Sequence, residues 1–178
     1  MSERTLEQLA ARVDELERRQ AVADVYAHYA WLLDSRQWVL AADEIFAEDA
    51  ELSLGTGMAT SKGRAAIRAS FDSMLPDLEG TAHYFTNIMV TIEPDGTANG
   101  RAYFQSYHWA METADAGTRR AIDFVGSGVY LDRLREYPEG WRIFDRKRRN
   151  LGPSPLALGA LPPGFAKRMT GWGGSREA

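Results

Sequence analysis

The chain of 178 residues is long enough to bury one substantial core and short for two, and 44% hydrophobic with 26% charged residues is an ordinary globular composition. A formal net charge of -4 argues against a nucleic-acid partner, and the absence of cysteine excludes disulfide frameworks, thiolate metal sites and thiol nucleophiles. The charged N-terminus MSERTLEQLAARVDELERRQ lacks a signal peptide's apolar core and no run approaches a membrane span, so a cytoplasmic protein without a membrane partner is expected.

Thr5 with Gln8 forms a capping-box pattern, after which Leu6, Leu9, Val13 and Leu16 recur at helical spacing as a narrow apolar stripe. A second periodic stretch, from about Val22 to Leu33, is wider and richer in aromatics and belongs deeper in the core. Val39, Leu40, Ile45 and Phe46 mark a third helix ending near Ala47. ELSL (51–54) alternates as a short strand, GTG follows as a turn, and Ser61 can cap a fourth helix that carries Ile67, Phe71, Met74 and Leu75 and stops at Pro76.

The period then changes. Residues 82–92, 98–113, 119–135 and 141–150 read as four strands separated by the turn segments PDGT, ADAG and EYPEG. Helices followed by consecutive antiparallel strands predict an α+β fold, a curved, mostly antiparallel sheet wrapped around N-terminal helices in one domain over 1–150. In the 98–113 strand Tyr103, Tyr107 and Trp109 point one way and Phe104, Ser106 and His108 the other, so helices on one face and another subunit on the other are expected, as a dimer or trimer. The tail, 151–178, holds prolines and glycines with enough Leu, Phe, Met and Trp to cover a pocket or a neighbouring subunit.

The histidines are His28, His83 and His108. His28 lies off its helix's apolar stripe, where solvent exposure is expected. His83 shares a strand face with Phe85, Asn87 and Met89, a setting that suits a satisfied core histidine or a general base whose other nitrogen is held by an acceptor; His108 allows the same two readings. Asp34 ends the second helix against the macrodipole's negative end, and a cap for the helix starting near Gln37 explains it as well as catalysis does. No HxH, HxxxH or HExxH spacing suggests a metal, the GSG around Ser127 lacks the strand-turn-helix setting of a nucleophile elbow, and no Gly-rich phosphate loop or dinucleotide fingerprint occurs. The Arg146-Lys147-Arg148-Arg149 stretch is either a strand with alternate residues solvated or part of a partner contact.

Taken together, YAHYAWLLDSRQWVLAADEIFAEDAEL, TAHYFTN and GWRIFDRK resemble the SnoaL-like branch of the nuclear-transport-factor-2-like superfamily over residues 8–150, which implies a cone-shaped α+β fold that serves many chemistries. Asp34 paired with His83 resembles the catalytic Asp-His dyad of scytalone dehydratase and of hexachlorocyclohexane dehydrochlorinase, in which the histidine removes a proton and the aspartate orients it. His108 and Ser127 match the second histidine and the serine of scytalone dehydratase in their separations from His83. Tyr29 has the spacing of the tyrosine five residues before the dyad aspartate of bile-acid 7-alpha-dehydratase. This sequence departs from these patterns at Leu33, Ser53, Val129 and Ser106, so the resemblance does not transfer a substrate.

The resemblance implies cofactor-free dehydration with Asp34, His83, His108 and Tyr29 as catalytic groups, and Ser127, Asn87, Trp31, Phe85, Phe104 and Met89 against the substrate, with Phe71 and Met74 also in the lining. Such an apolar, aromatic pocket suits a polyketide-like or steroid-like small molecule. Isomerisation or polyketide cyclisation with the same base is the alternative enzyme reading. Epoxide hydrolysis would want an acid near Tyr103. The small subunit of a ring-hydroxylating dioxygenase, or a ligand-binding protein, is the non-catalytic reading.

Overall fold

The long apolar periodicity of the N-terminus forms one helix rather than two. In the computed structural model, which describes residues 3–55, 59–110 and 122–151, α1 runs unbroken through Glu3–Asp34. Between the two apolar stretches stand Glu17, Arg18, Arg19, Gln20 and Ala21, all good helix formers, so nothing in the sequence interrupts the hydrogen-bond ladder. Helix α2 (Trp38–Ile45) leads directly into β1 (Phe46–Ser53), which begins earlier than its ELSL core suggests. Ser61 is not a helix cap: it pairs with Leu52 in the two-residue β2 (Ser61–Lys62), and α3 (Arg64–Met74) starts after Gly63, whose φ of 82° suits glycine. A 3₁₀ turn, Leu75–Asp77, holds Pro76 and delivers the chain into β3 (Leu78–Ile92).

The remaining strands are β4 (Ala98–Ala110), β5 (Phe124–Tyr137) and β6 (Gly140–Arg149). The sheet order is β2-β1-β6-β5-β4-β3, antiparallel throughout except for the β1–β6 pair. The result is the expected α+β architecture, an open mixed sheet with α1 packed mainly on β3. The core lies between helices and sheet, where Val22, Tyr26, Tyr29, Leu32 and Leu33 of α1 meet Ile45, Phe46, Ile67, Phe71, Leu134 and Ile143. Among the described residues no helix is long and apolar enough to cross a membrane. The ADAG turn and, beyond Leu151, the C-terminal tail lie outside the described residues.

Two irregularities decide which side chains enter this interior. Thr86 pairs with Tyr103 and Met89 with Arg101, so β3 carries one extra residue there, with Asn87 at a positive φ of 51°. Leu134 pairs with Ile143 and Arg133 with Asp145, so Phe144 is the extra residue of β6. Each bulge reverses the alternation beyond it.

Candidate active site

Helix α1 is stopped by its own backbone. Arg36 takes the left-handed conformation (φ 61°), its N–H donates to Leu33 O, and Gln37 N–H donates to Leu32 O, a Schellman termination with arginine where glycine is usual. The Arg36 side chain then donates to the carbonyls of Leu78 and Glu79 and lies over the Trp38 ring, fastening the helix end to the start of β3. The neighbouring Asp34 is thereby fixed against that strand.

Both Asp34 oxygens face β3. Oδ1 accepts from Thr81 Oγ1 at 2.8 Å and lies 2.7 Å from His83 Nδ1, while Oδ2 accepts the His83 backbone N–H at 2.8 Å. The cap reading fails on this geometry: α2 begins after Gln37 with no side-chain cap, and both Asp34 oxygens are engaged by β3. Burial alone pushes the Asp34 carboxyl up, but the hydrogen bonds from His83 and Thr81 and the attraction to the imidazole outweigh it and leave the group below its ordinary value. An ionised carboxylate can only accept, so Nδ1 carries the proton and Nε2 of the neutral ring carries the lone pair.

Cross-strand register builds the surroundings. His83 is opposite Ser106, and Ser106 opposite Gly126, so the sheet row beside the imidazole carries little side-chain volume. One row along, Thr81, His108 and Phe124 align; the His108 ring is 5.7 Å from that of His83, perpendicular to it, and 4.7 Å from Phe124. Burial, with smaller contributions from His83 and Arg148, pushes the His108 imidazole down to about 3, so it is neutral at ordinary pH. On the other side, Phe85 and Phe104 are paired; Phe104 stacks on Tyr130 at 4.5 Å, and Tyr29 packs between Phe46 and Phe85. Burial raises the Tyr29 phenol, which stays protonated.

The structure therefore brings Asp34, His83 and His108 together, with Tyr29, Phe85 and Phe104 lining the same interior, Phe71 buried and Met74 packed against the core. It does not bring in the rest. Trp31 (67% exposed) lies on the solvent side of α1, and Asn87 and Met89 are exposed because the β3 bulge turns them out of the face shared by His83 and Phe85. Ser127 is on the outer face of β5, where it lines a groove of about 210 Å³ with Tyr84, Thr86, Tyr103 and Gln105. His28 is exposed as expected and pairs with Glu44 at 2.7 Å.

Sequence reasoning missed Thr81, whose position two residues before His83 on one strand face was the available signal. It also missed the interior charges of β6. Arg146 is fully buried, bound through two nitrogens to Asp132 at 2.9 and 2.7 Å, with its guanidinium 4.3 Å from the Tyr130 ring centre and 4.6 Å from that of Tyr29. Arg148 is buried over Phe104, and burial draws its guanidinium below its usual value. Lys147 and Arg149 are exposed, so the basic stretch is half solvated and half interior. Among the described residues no cluster of three or more His, Cys, Asp or Glu side chains could hold a metal ion.

Residues 14–147 match the SnoaL-like domain, and the chain belongs to that family. An NTF2-like protein with a cystatin-like fold from Novosphingobium aromaticivorans is 34% identical, covering 84% of this chain and 92% of its own at a TM-score of 0.63. A protein from the same organism provisionally named an aromatic ring hydroxylase is 28% identical, with 80% and 94% covered and a TM-score of 0.69. A hexachlorocyclohexane dehydrochlorinase of type 2 is 23% identical, with 86% and 99% covered at 0.67, a likeness of fold. No curated protein matches the chain.

Proposed function

We propose that this protein is a cofactor-independent lyase that dehydrates a hydrophobic, polyketide-like or steroid-like molecule, with Asp34 and His83 acting as one general base. The observation that carries the reading is the Asp34 carboxylate, held by Thr81 and by the His83 backbone, on the Nδ1 side of His83. That contact fixes the tautomer with a basic Nε2 and stabilises the imidazolium formed when Nε2 takes a proton.

In the reaction, Nε2 removes a C–H proton next to a carbonyl, and the C–H electron pair passes through an enolate into the new double bond. The β-hydroxyl leaves with its bonding pair and takes up a proton, so one water is lost and nothing is oxidised. Neutral His108 and the protonated Tyr29 phenol carry an N–H and an O–H that would turn from their present partners, the Phe124 backbone and Tyr130, to meet developing negative charge, and the Arg148 guanidinium adds a positive field behind Phe104. The aromatic cluster of Phe85, Phe104 and Tyr130 beside the base suits an apolar ring system.

Candidate hydroxy-ketones incubated with the protein should lose one water mass, and His83→Ala should lower turnover by about 10²–10⁴-fold with the fold unchanged. Wild-type rates in that variant would dismiss the base. A product of unchanged mass in ordinary water that gains deuterium when the reaction is run in heavy water would instead assign the same base to an isomerase or cyclase. The non-catalytic small-subunit reading draws on the exposed Tyr84, Met89, Tyr103 and Leu131 of the outer sheet face, yet leaves the Asp34–His83 pair without a purpose.

A further inference from the structure

The first half of α1 carries an apolar stripe that no other described residue covers. Leu6, Leu9, Val13 and Leu16 are 54%, 51%, 52% and 51% exposed, whereas Val22, Tyr26 and Tyr29 further along the same helix are buried. At 3.6 residues per turn the exposed set points about 150° away from the buried set. The stripe therefore faces outward from the sheet that α1 packs on, and closer packing of the helix on that sheet cannot bury it.

The spacing is that of a heptad repeat, with Leu6 and Val13 at a and Leu9 and Leu16 at d. It continues through Gln20 at a, Ala23 at d and Ala27 at a, small or polar side chains on the same outward side. A β-branched residue at a, leucine at d and a single polar a position are the combination that favours two parallel strands in register. The flanking charges agree. Arg12 and Arg19 occupy g, and Glu17 and Asp24 occupy the e positions five residues on, so a parallel pair sets each arginine of one helix against an acid of the other. Antiparallel packing would instead face Arg12 with Arg12. Within one chain, Arg12 and Arg19 lean on Glu15 at 3.4 and 3.0 Å, exposed contacts that are weak and readily exchanged.

We infer that the outward face of α1 is a dimerisation surface whose occupant is a second copy of this chain, paired as a short parallel two-stranded coiled coil with the two domains on opposite sides of the seam.

The test uses the full-length chain. Sedimentation equilibrium should report a dimer, and Leu9→Glu/Leu16→Glu should raise its Kd by roughly 100-fold or more, the range of paired hot-spot residues. These side chains are exposed in the single chain, so the variant's circular dichroism should keep the wild-type fold signature, and its denaturation midpoint should match that of the wild type diluted to where it is monomeric. Arg12→Glu alone and Glu17→Arg alone should each weaken pairing by about 10-fold, while an equimolar mixture of the two should form heterodimers of near wild-type affinity. In this cysteine-free chain, Val13→Cys should cross-link to its copy on mild oxidation and Ala11→Cys, on the opposite face, should not. A monomeric wild type, an assembly unchanged by Leu9→Glu/Leu16→Glu, or no preference for the charge-swapped heterodimer would overturn the inference.

Discussion

Asp34 occupies a helix end where a carboxylate is disfavoured, and the three hydrogen bonds it accepts from β3 compensate that placement. An amide cannot do the same: Asp34→Asn keeps one acceptor and gains an N–H₂ that faces either the His83 backbone N–H or the imidazole. Turnover in Asp34→Asn should therefore fall by about 10²–10⁴-fold, with kcat lost more than KM gained, because the tautomer with a free Nε2 is no longer enforced. His108 makes a separate prediction about stability. Its folded value of about 3 lies below the ordinary 6.5, so between those limits the unfolded chain binds more protons than the folded one. Stability contributed by keeping this ring neutral is complete above about 6.5 and is lost as pH falls toward 3. Denaturation midpoints of His108→Phe measured across that window should show a shallower acid slope than the wild type, whatever the offset in absolute stability.

At the scale of elements, two of the sheet's register shifts, near Asn87 and at Phe144, determine the site's membership. Period-two reading places His83, Phe85, Asn87 and Met89 on one face, and it holds for the first pair only, because the extra residue near Asn87 reverses the alternation. The same device on β6 sets Phe144 beside Arg133 and Arg135 and turns Arg146 and Arg148 inward, where unbroken alternation from Ile143 would have presented Asp145 and Lys147. The helix-then-strand order and the Asp34–His83 pairing could be read from periodicity and family resemblance. The facing of the later residues could not, since a bulge depends on cross-strand pairing that sequence spacing does not encode. Asn87 is suited to this position because asparagine tolerates positive φ better than other side chains. Asn87→Val should cost about 1–2 kcal/mol in urea denaturation and Asn87→Gly close to nothing; equal losses in both would mean that the side chain, rather than the backbone conformation, matters there.

Across the whole molecule, Arg146 links the layers: it leaves β6, binds Asp132 of β5, and its guanidinium sits among Tyr26 and Tyr29 of α1, Phe46 of β1 and Tyr130 of β5. Gly100 keeps this packing open, since a Cβ there would come within 2.3 Å of the Tyr26 hydroxyl oxygen. Asp132 and Arg146 are both fully withdrawn from water, so their attraction has to offset two desolvation penalties. Removing one partner leaves the other charge stranded in an aromatic core, which costs about 3–5 kcal/mol, whereas replacing both with apolar groups of similar size is often neutral or stabilising by about 1–4 kcal/mol. Arg146→Met should therefore lower the denaturation midpoint sharply, and Asp132→Leu/Arg146→Met should recover most or all of the loss. If turnover returns together with stability in the double variant, the pair serves the fold alone; if stability returns and turnover does not, the buried charge also contributes to the field in which the Asp34–His83 base works.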